Sequence, residues 1–474
     1  MSAKPPADHN EAPTSAPDRD RPAAPSPIDG EGEGGGAGDG DGDGDGDAVA
    51  GPDHALATDA TQEDKGDAAA LGLPSQSSLR QQRRERRQAR RRRIAELFRR
   101  FIRAEATGGL VLFASTLLAL ALAHSALAPA VAVLWQQPLG LQLFGSHFQL
   151  STADWINDGL MALFFLLVGM EIKRELVHGE LDSPRKAALP VIAAGFGMLA
   201  PALIYLTVSR LGGPAIRRGW AIPTATDIAF TVGVMALLGR RVPMGLRVFV
   251  TALAIADDLG AVLVIALFYS AKLDLARLAI CAGVTVLLIA CNRLGLRRRG
   301  VYAGLGLLLW LAMLHSGIHA TIAGVILGLC TPLPTGERFS RALQYPVALV
   351  VLPLFALCNA GITLPLQAAV LRSAVEQPIT LGIFFGLLLG KPIGIFSAAV
   401  LSVLLRVGQL PSGTRYLALL GAAMLCGIGF TMSIFTAQLA FADPTQLVQA
   451  KLGILAGSLA SALAGALVLR LSTR

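Results

Sequence analysis

Residues 251–269 read TALAIADDLGAVLVIALFY. Apart from a threonine, a glycine and the adjacent Asp257 and Asp258, the run is apolar throughout. It is about as long as the roughly 20-residue helix that crosses a bilayer. A charge at the bilayer centre costs at least about 2.5–3.5 kcal/mol on insertion scales, so two carboxylates there require a reason. Neighbouring helical residues point about 100° apart. One carboxylate can therefore face a cation path while the other meets a cationic partner on another helix. Two like charges this close also oppose each other's ionisation. A pair of this kind holds either protons or a metal cation, and that competition is the physical core of an exchanger.

The same reading extends outward. From Gly108 the chain is a series of apolar runs of bilayer length, near 108–128, 157–176, 187–209, 219–239, 245–270, 275–292, 300–315, 316–333, 344–363, 379–405, 414–439 and 449–470. They predict an all-α membrane protein with twelve transmembrane helices, the seventh and eighth separated by little more than His315, Ser316 and Gly317. Twelve spans place both termini on one side. The loops on the predicted inner side carry fifteen Lys and Arg against seven outside, which predicts cytoplasmic termini.

Charged residues make up only 16% of the 474, and the net charge of +8 conceals three segments. Residues 1–79 hold 17 acids and four bases and include the tract GDGDGDGDGD; this composition predicts a disordered acidic tail. Residues 80–105 hold twelve Arg against three Glu and precede the first apolar run. Their position suits a cytoplasmic juxtamembrane segment in contact with anionic lipid better than a nucleic-acid site. Residues 106–474 form the membrane domain. No signal peptide is expected, because no apolar run occurs before residue 107. The five cysteines show no metal or disulfide spacing, and no cofactor is expected.

Besides the aspartate pair, only Asp158, Asp227 and Lys391 fall deep in apolar runs. Asp227 lies in GWAIPTATDIAFTVGV (219–234), where Pro223 interrupts helical bonding and Thr224 and Thr226 offer hydroxyls to the freed backbone groups. Lys391 lies in LGIFFGLLLGKPIGIF (381–396), an obvious partner for one aspartate. A second interruption is expected in MLCGIGFTMSIF (424–435), from Gly427 and Gly429. Interrupted spans at matching places in two halves point to a transporter's binding site. Spans three to five and ten to twelve form such triplets of opposite orientation, which predicts inverted repeats with two interrupted, crossing helices, spans four and eleven. Asp227 would offset the positive helix ends there, and Lys391 the negative ends.

These residues closely resemble the NhaA family of Na+/H+ antiporters. The similarity rests on ATDIAF (225–230), ALAIADDLGA (252–261), GKPIG (390–394) and LCGIGFTMSIF (425–435). Further blocks are WINDGLMALFFLLVGMEIKRE (155–175), HSGIHATIAGVILG (315–328), PLFALCNAG (353–361) and KLGILAGS (451–458), so the resemblance covers nearly all of 97–472. It implies that Asp257 and Asp258 bind the cation and protons, and that Thr226 and Asp227 form an extended segment of the fourth helix. It implies that Lys391 pairs with Asp257 and that Asp158 stands near the site. Glu171, Arg174 and Glu175 would be a cytoplasmic cluster tied to pH response, with His319 also linked to pH. One departure stands out. The stretch TGERFSRALQYPVALV (335–350) has Glu337 as its only acid and no His, whereas well-studied members carry an acidic, His-containing stretch before the ninth helix.

The expectation is a secondary transporter of the bacterial inner membrane, not an enzyme, that exports Na+ and Li+ electrogenically in exchange for H+. Membrane lipid is an expected partner and nucleic acid is not; a homodimer is compatible with the resemblance. No Walker A sequence is present. An intramembrane aspartyl protease would need two aspartates converging from different helices. A cation channel would pass uncoupled current, and a sodium-coupled symporter would require an organic solute.

Overall fold

The computed structural model of the chain describes residues 107–143, 146–179, 181–270, 273–363 and 368–472. The acidic segment 1–79 and the Arg-rich segment 80–105 lie outside the described residues.

Helix α1 (Thr107–Ala123) turns through 113° into α2 (Ala128–Gln136). A hairpin follows, β1 (Pro138–Leu143) antiparallel to β2 (Ser146–Ser151), in register from Pro138 opposite Ser151 to Leu143 opposite Ser146. This hairpin is the one departure from helix among the described residues of an otherwise all-α chain. Leu139, Leu141 and Leu143 alternate with Gly140 and Gln142, which is a strand pattern rather than a helical one. The hairpin leads directly into α3 (Thr152–His178), whose start is fixed by a reciprocal cap. Ser151 Oγ accepts from the Asp154 N–H, and Asp154 Oδ2 accepts from the Ser151 N–H.

The remaining elements are all helical among the described residues. They are α4 (Pro184–Val208), the bent pair α5 (Gly213–Thr224) and α6 (Ile228–Leu237), α7 (Met244–Phe268), α8 (Leu275–Arg293) and α9 (Arg299–Leu314). After them come α10 (Ile322–Cys330), α11 (Leu333–Asn359), α12 (Ala368–Val375), α13 (Pro378–Leu404), the bent pair α14 (Tyr416–Leu425) and α15 (Phe430–Ala440), and α16 (Pro444–Ser472). Every predicted apolar run thus contains helix. By length and composition, seven of these helices can cross a membrane, or up to ten when each of three bent pairs counts as one span. The three others, α9, α10 and α12, have only 16, nine and eight residues.

The surface reverses the usual soluble pattern. Leu459, Leu463, Leu467 and Leu471 of α16 follow one another at four-residue spacing, each more than half exposed. Leu263 and Leu267 of α7 do the same. Such stripes suit contact with hydrocarbon, not water. Helix–helix contacts inside rely on small residues, because lipid gives apolar side chains no reason to leave it. In α10, Gly324 and Gly328 let α3 approach backbone to backbone. A methyl group on Gly324 would collide with the Ala162 carbonyl and the Leu166 N–H, and one on Gly328 with Gly169 and Met170. Gly324→Ala is therefore expected to lower stability by about 1–3 kcal/mol, the cost of overpacking a tight contact. Thermal unfolding in detergent measures it, and an unchanged melting point would show that the helices separate without penalty.

Candidate functional site

Two chain breaks build the site. In the first, Ala225–Asp227 leave the helix between α5 and α6, with Ala225 and Asp227 both in extended conformation and the helices bent by 41°. In the second, residues 426–429 separate α14 from α15 with a bend of 46°. Gly427 and Gly429, expected to weaken the helix here, do lie in the break, and neither has a positive φ. Their role is closeness: a side chain on Gly427 would strike the Leu387 carbonyl, and one on Gly429 would reach the Ala225 carbonyl and Ser433.

The breaks lie against each other. The Asp227 N–H donates to the Ile428 carbonyl at 2.7 Å, Thr226 Oγ1 to the Cys426 carbonyl at 2.9 Å and Thr231 Oγ1 to the Leu425 carbonyl at 3.1 Å. The carbonyls at the end of α14 are thus taken up by the other break. The Asp227 carboxylate serves two helix starts at once. Its Oδ1 accepts from the Phe230 N–H of α6 at 3.1 Å, and its Oδ2 accepts from the Thr431 N–H of α15 at 3.0 Å and from Thr431 Oγ1 at 2.5 Å. A buried carboxylate between two helix N-termini meets both partial positive charges and takes up three donors there, two of them backbone N–H groups left unpaired by the helix starts. Ser433 Oγ donates to the Ile222 carbonyl at 2.7 Å, and Ser458 Oγ accepts from the Gly429 and Phe430 N–H groups. Ser458 was not singled out from the sequence. A serine in an apolar span next to a helix break was the available signal.

Alongside runs α7. Asp257 and Asp258 are 1% and 3% exposed, and Lys391, at 0%, begins the regular part of α13 after a wide turn over Gly386–Gly390. Lys391 Nζ donates to Asp257 Oδ2 at 2.5 Å. Lys391 is thus paired with a carboxylate. Asp258 is different. Both of its carboxylate oxygens, and Asp257 Oδ1, are buried without a hydrogen-bond partner among the described residues. A bare carboxylate is very costly in a low-dielectric interior, so such a group takes up a proton or a cation.

The other predicted residues lie on other elements, with Glu171 of α3 near enough to Asp258 for the two acids to interact electrostatically. Asp158 lies in a wide helical turn, Trp155–Leu160, at the start of α3; its backbone carbonyl accepts from Trp310 Nε1 at 2.8 Å. Glu171, Arg174 and Glu175 occupy the last turns of α3, with Arg174 and Glu175 3.5 Å apart. Glu171 and Arg174 line a cavity of about 630 Å³ that Glu337 and Arg341 of α11 also line. Glu337, the lone acid of its stretch, therefore shares a cavity with the α3 cluster. Lys173, in the same wall, donates to the carbonyls of Leu329 and Thr331 and closes the end of α10. His319 lies in the connection between α9 and α10. Among the described residues, no three His, Cys, Asp or Glu side chains are grouped as a resident metal would require.

Bilayer-length apolar helices with charged groups sealed inside define a multi-pass helical membrane protein. A sequence profile of the family described as Na+/H+ antiporter 1 matches residues 99–469. The chain is 47% identical over 387 residues to the Na(+)/H(+) antiporter NhaA of Pseudomonas putida strain GB-1, covering 80% of this chain and 98% of that one. It is 47% identical over 388 residues to the protein of that name in Shigella dysenteriae, covering 79% and 98%, and 45% identical over 388 residues to that of Aeromonas salmonicida, covering 80% and 97%. The chain belongs to the Na+/H+ antiporter 1 family, whose members are transporters and not enzymes.

Proposed function

We propose that this protein exports Na+, and also Li+, across the bacterial inner membrane in exchange for H+, with Asp257 and Asp258 binding cation and protons in turn. The observation that carries this reading is the Asp258 carboxylate, buried on both oxygens beside the Asp257–Lys391 pair and without a partner among the described residues. Oxygen ligands suit a hard monovalent cation, and a protonated acid suits the empty carrier. When Na+ enters, Asp258 loses its proton. The second proton resides on the Asp257–Lys391 pair, which separates as Asp257 turns to the cation. Two protons against one Na+ make the exchange electrogenic, so the membrane potential adds about 2.3 kcal/mol per 100 mV for the extra charge.

In this reading α9 and α10 complete twelve spans, spans three to five and ten to twelve are inverted repeats, and both termini are cytoplasmic. Asp227 and Thr226 hold the crossing together, and Asp158 supports the site. Glu171, Arg174, Glu175 and His319 adjust activity to pH. Everted membrane vesicles with a pH-sensitive dye test the proposal. Addition of Na+ or Li+ is expected to dissipate an acid-inside gradient within seconds to minutes, whereas K+ is not. A Na+ current without proton movement would replace the exchanger with a channel.

A further inference from the structure

A second cavity, about 820 Å³, has no part in the site above. It opens at the end of the bundle where α3 joins α4, between the first turns of α4 and α7 and the loop after α13. Leu189, Pro190, Val248, Phe249 and Ala252 make an apolar wall, and Lys186 and Arg406 stand in it as cations; no acid lines it. Lys186 also bonds to Asp182 at 2.9 Å, while Arg406 has no side-chain partner among the described residues. Met244, Leu405 and Val407 at the rim are about half exposed or more, so the cavity borders hydrocarbon as well as water.

Arg406 is the telling residue. It is the only non-glycine residue with positive φ among the described residues, at 57°. It ends α13 in a left-handed turn in which the Arg406 N–H bonds to the Val403 carbonyl and the Val407 and Gly408 N–H groups bond to the Ser402 carbonyl. Glycine is the usual residue at that place. A long cation there, in strained backbone, puts charge over the cavity at a conformational cost. The loop is seated firmly: a side chain on Gly245 would strike the backbone of Ser412, and one on Gly408 would press on Leu189.

We infer that this cavity binds the anionic headgroup of a membrane phospholipid, the phosphate on Arg406 and Lys186 and the start of an acyl chain along Leu189 and Phe249. Basic pockets between helices at the cytoplasmic surface hold such headgroups. An apolar wall of this size is of no use to free phosphate, which is why the lipid is the committed occupant. The inference rests on the chain crossing a membrane and not on the exchange reaction.

Thermal unfolding of the purified full-length protein in maltoside micelles tests it. Dioleoylphosphatidylglycerol is expected to raise the melting temperature saturably, while dioleoylphosphatidylcholine and inorganic phosphate leave it in place. Arg406→Gly and Lys186→Gln should each raise the phosphatidylglycerol concentration for half-maximal effect about fivefold. Glycine suits the left-handed turn, so Arg406→Gly should melt no lower than the parent in phosphatidylcholine, separating loss of binding from loss of fold. The Arg-rich residues 80–105 are common to all three proteins and set a shared background. Half-maximal concentrations unchanged in both variants, or equal stabilisation by inorganic phosphate, would overturn the assignment.

Discussion

Asp258→Asn is expected to remove Na+-driven proton movement from everted vesicles, reducing the rate at least about 100-fold. The substitution keeps the shape of the side chain and deletes its charge. Losing one member of a buried charged contact costs about 2–5 kcal/mol, and each 1.4 kcal/mol is tenfold in affinity. The side chain also loses its titrating proton, so neither half of the exchange can be completed. The fold should not suffer. The Asp258 carboxylate makes no hydrogen bond among the described residues, and a neutral amide is easier to bury than a carboxylate. The variant should therefore melt at or above the parent's temperature. Retention of half the parent's transport by a well-folded Asp258→Asn protein would remove Asp258 from the cation site.

Lys391→Met should act in the opposite way, on stability first. Methionine keeps the linear side chain and removes the ammonium that bonds to Asp257 at 2.5 Å. Breaking a buried pair from one side leaves an uncompensated charge and costs about 3–5 kcal/mol. The melting temperature in detergent should fall sharply. Combining Lys391→Met with Asp257→Asn should recover most of the loss, because removing both charges leaves nothing unpaired. Transport should not return in the double variant. An unchanged melting point for the single variant, or a double variant as unstable as the single one, would show that the pair does not hold these helices together.

The sequence made the helices legible where the apolar runs were long, and the charges inside them pointed to Asp158, Asp227, Asp257, Asp258 and Lys391, because a charge in hydrocarbon has few bland explanations. The break at Asp227 was readable from Pro223 and the flanking threonines. The second break was located correctly, but Gly427 and Gly429 proved to be sites of close approach, and closeness depends on a neighbour, Leu387, that is distant in sequence. The same limit hid Ser458, whose hydroxyl matters only because the start of α15 comes within 3.3 Å of it. The hairpin at 138–151 was passed over for another reason: a short alternating stretch between long apolar runs reads as a loop. The lengths of α9 and α10 were blurred because periodicity does not fix where a short helix stops.

The lacing of the two breaks also bears on motion. Six hydrogen bonds join the stretch 222–231 to the stretch 425–433, two of them to one oxygen of Asp227. At about 0.5–1.5 kcal/mol each, prying these stretches apart costs roughly 3–9 kcal/mol, before any charge on Asp227 is left without its donors. Sliding the whole assembly past its neighbours costs none of these bonds. The two laced breaks are mechanically one piece, so a displacement of either must carry the other with it as a block. The places that give way then lie around its edge, where helices meet through side chains instead of through each other's backbone.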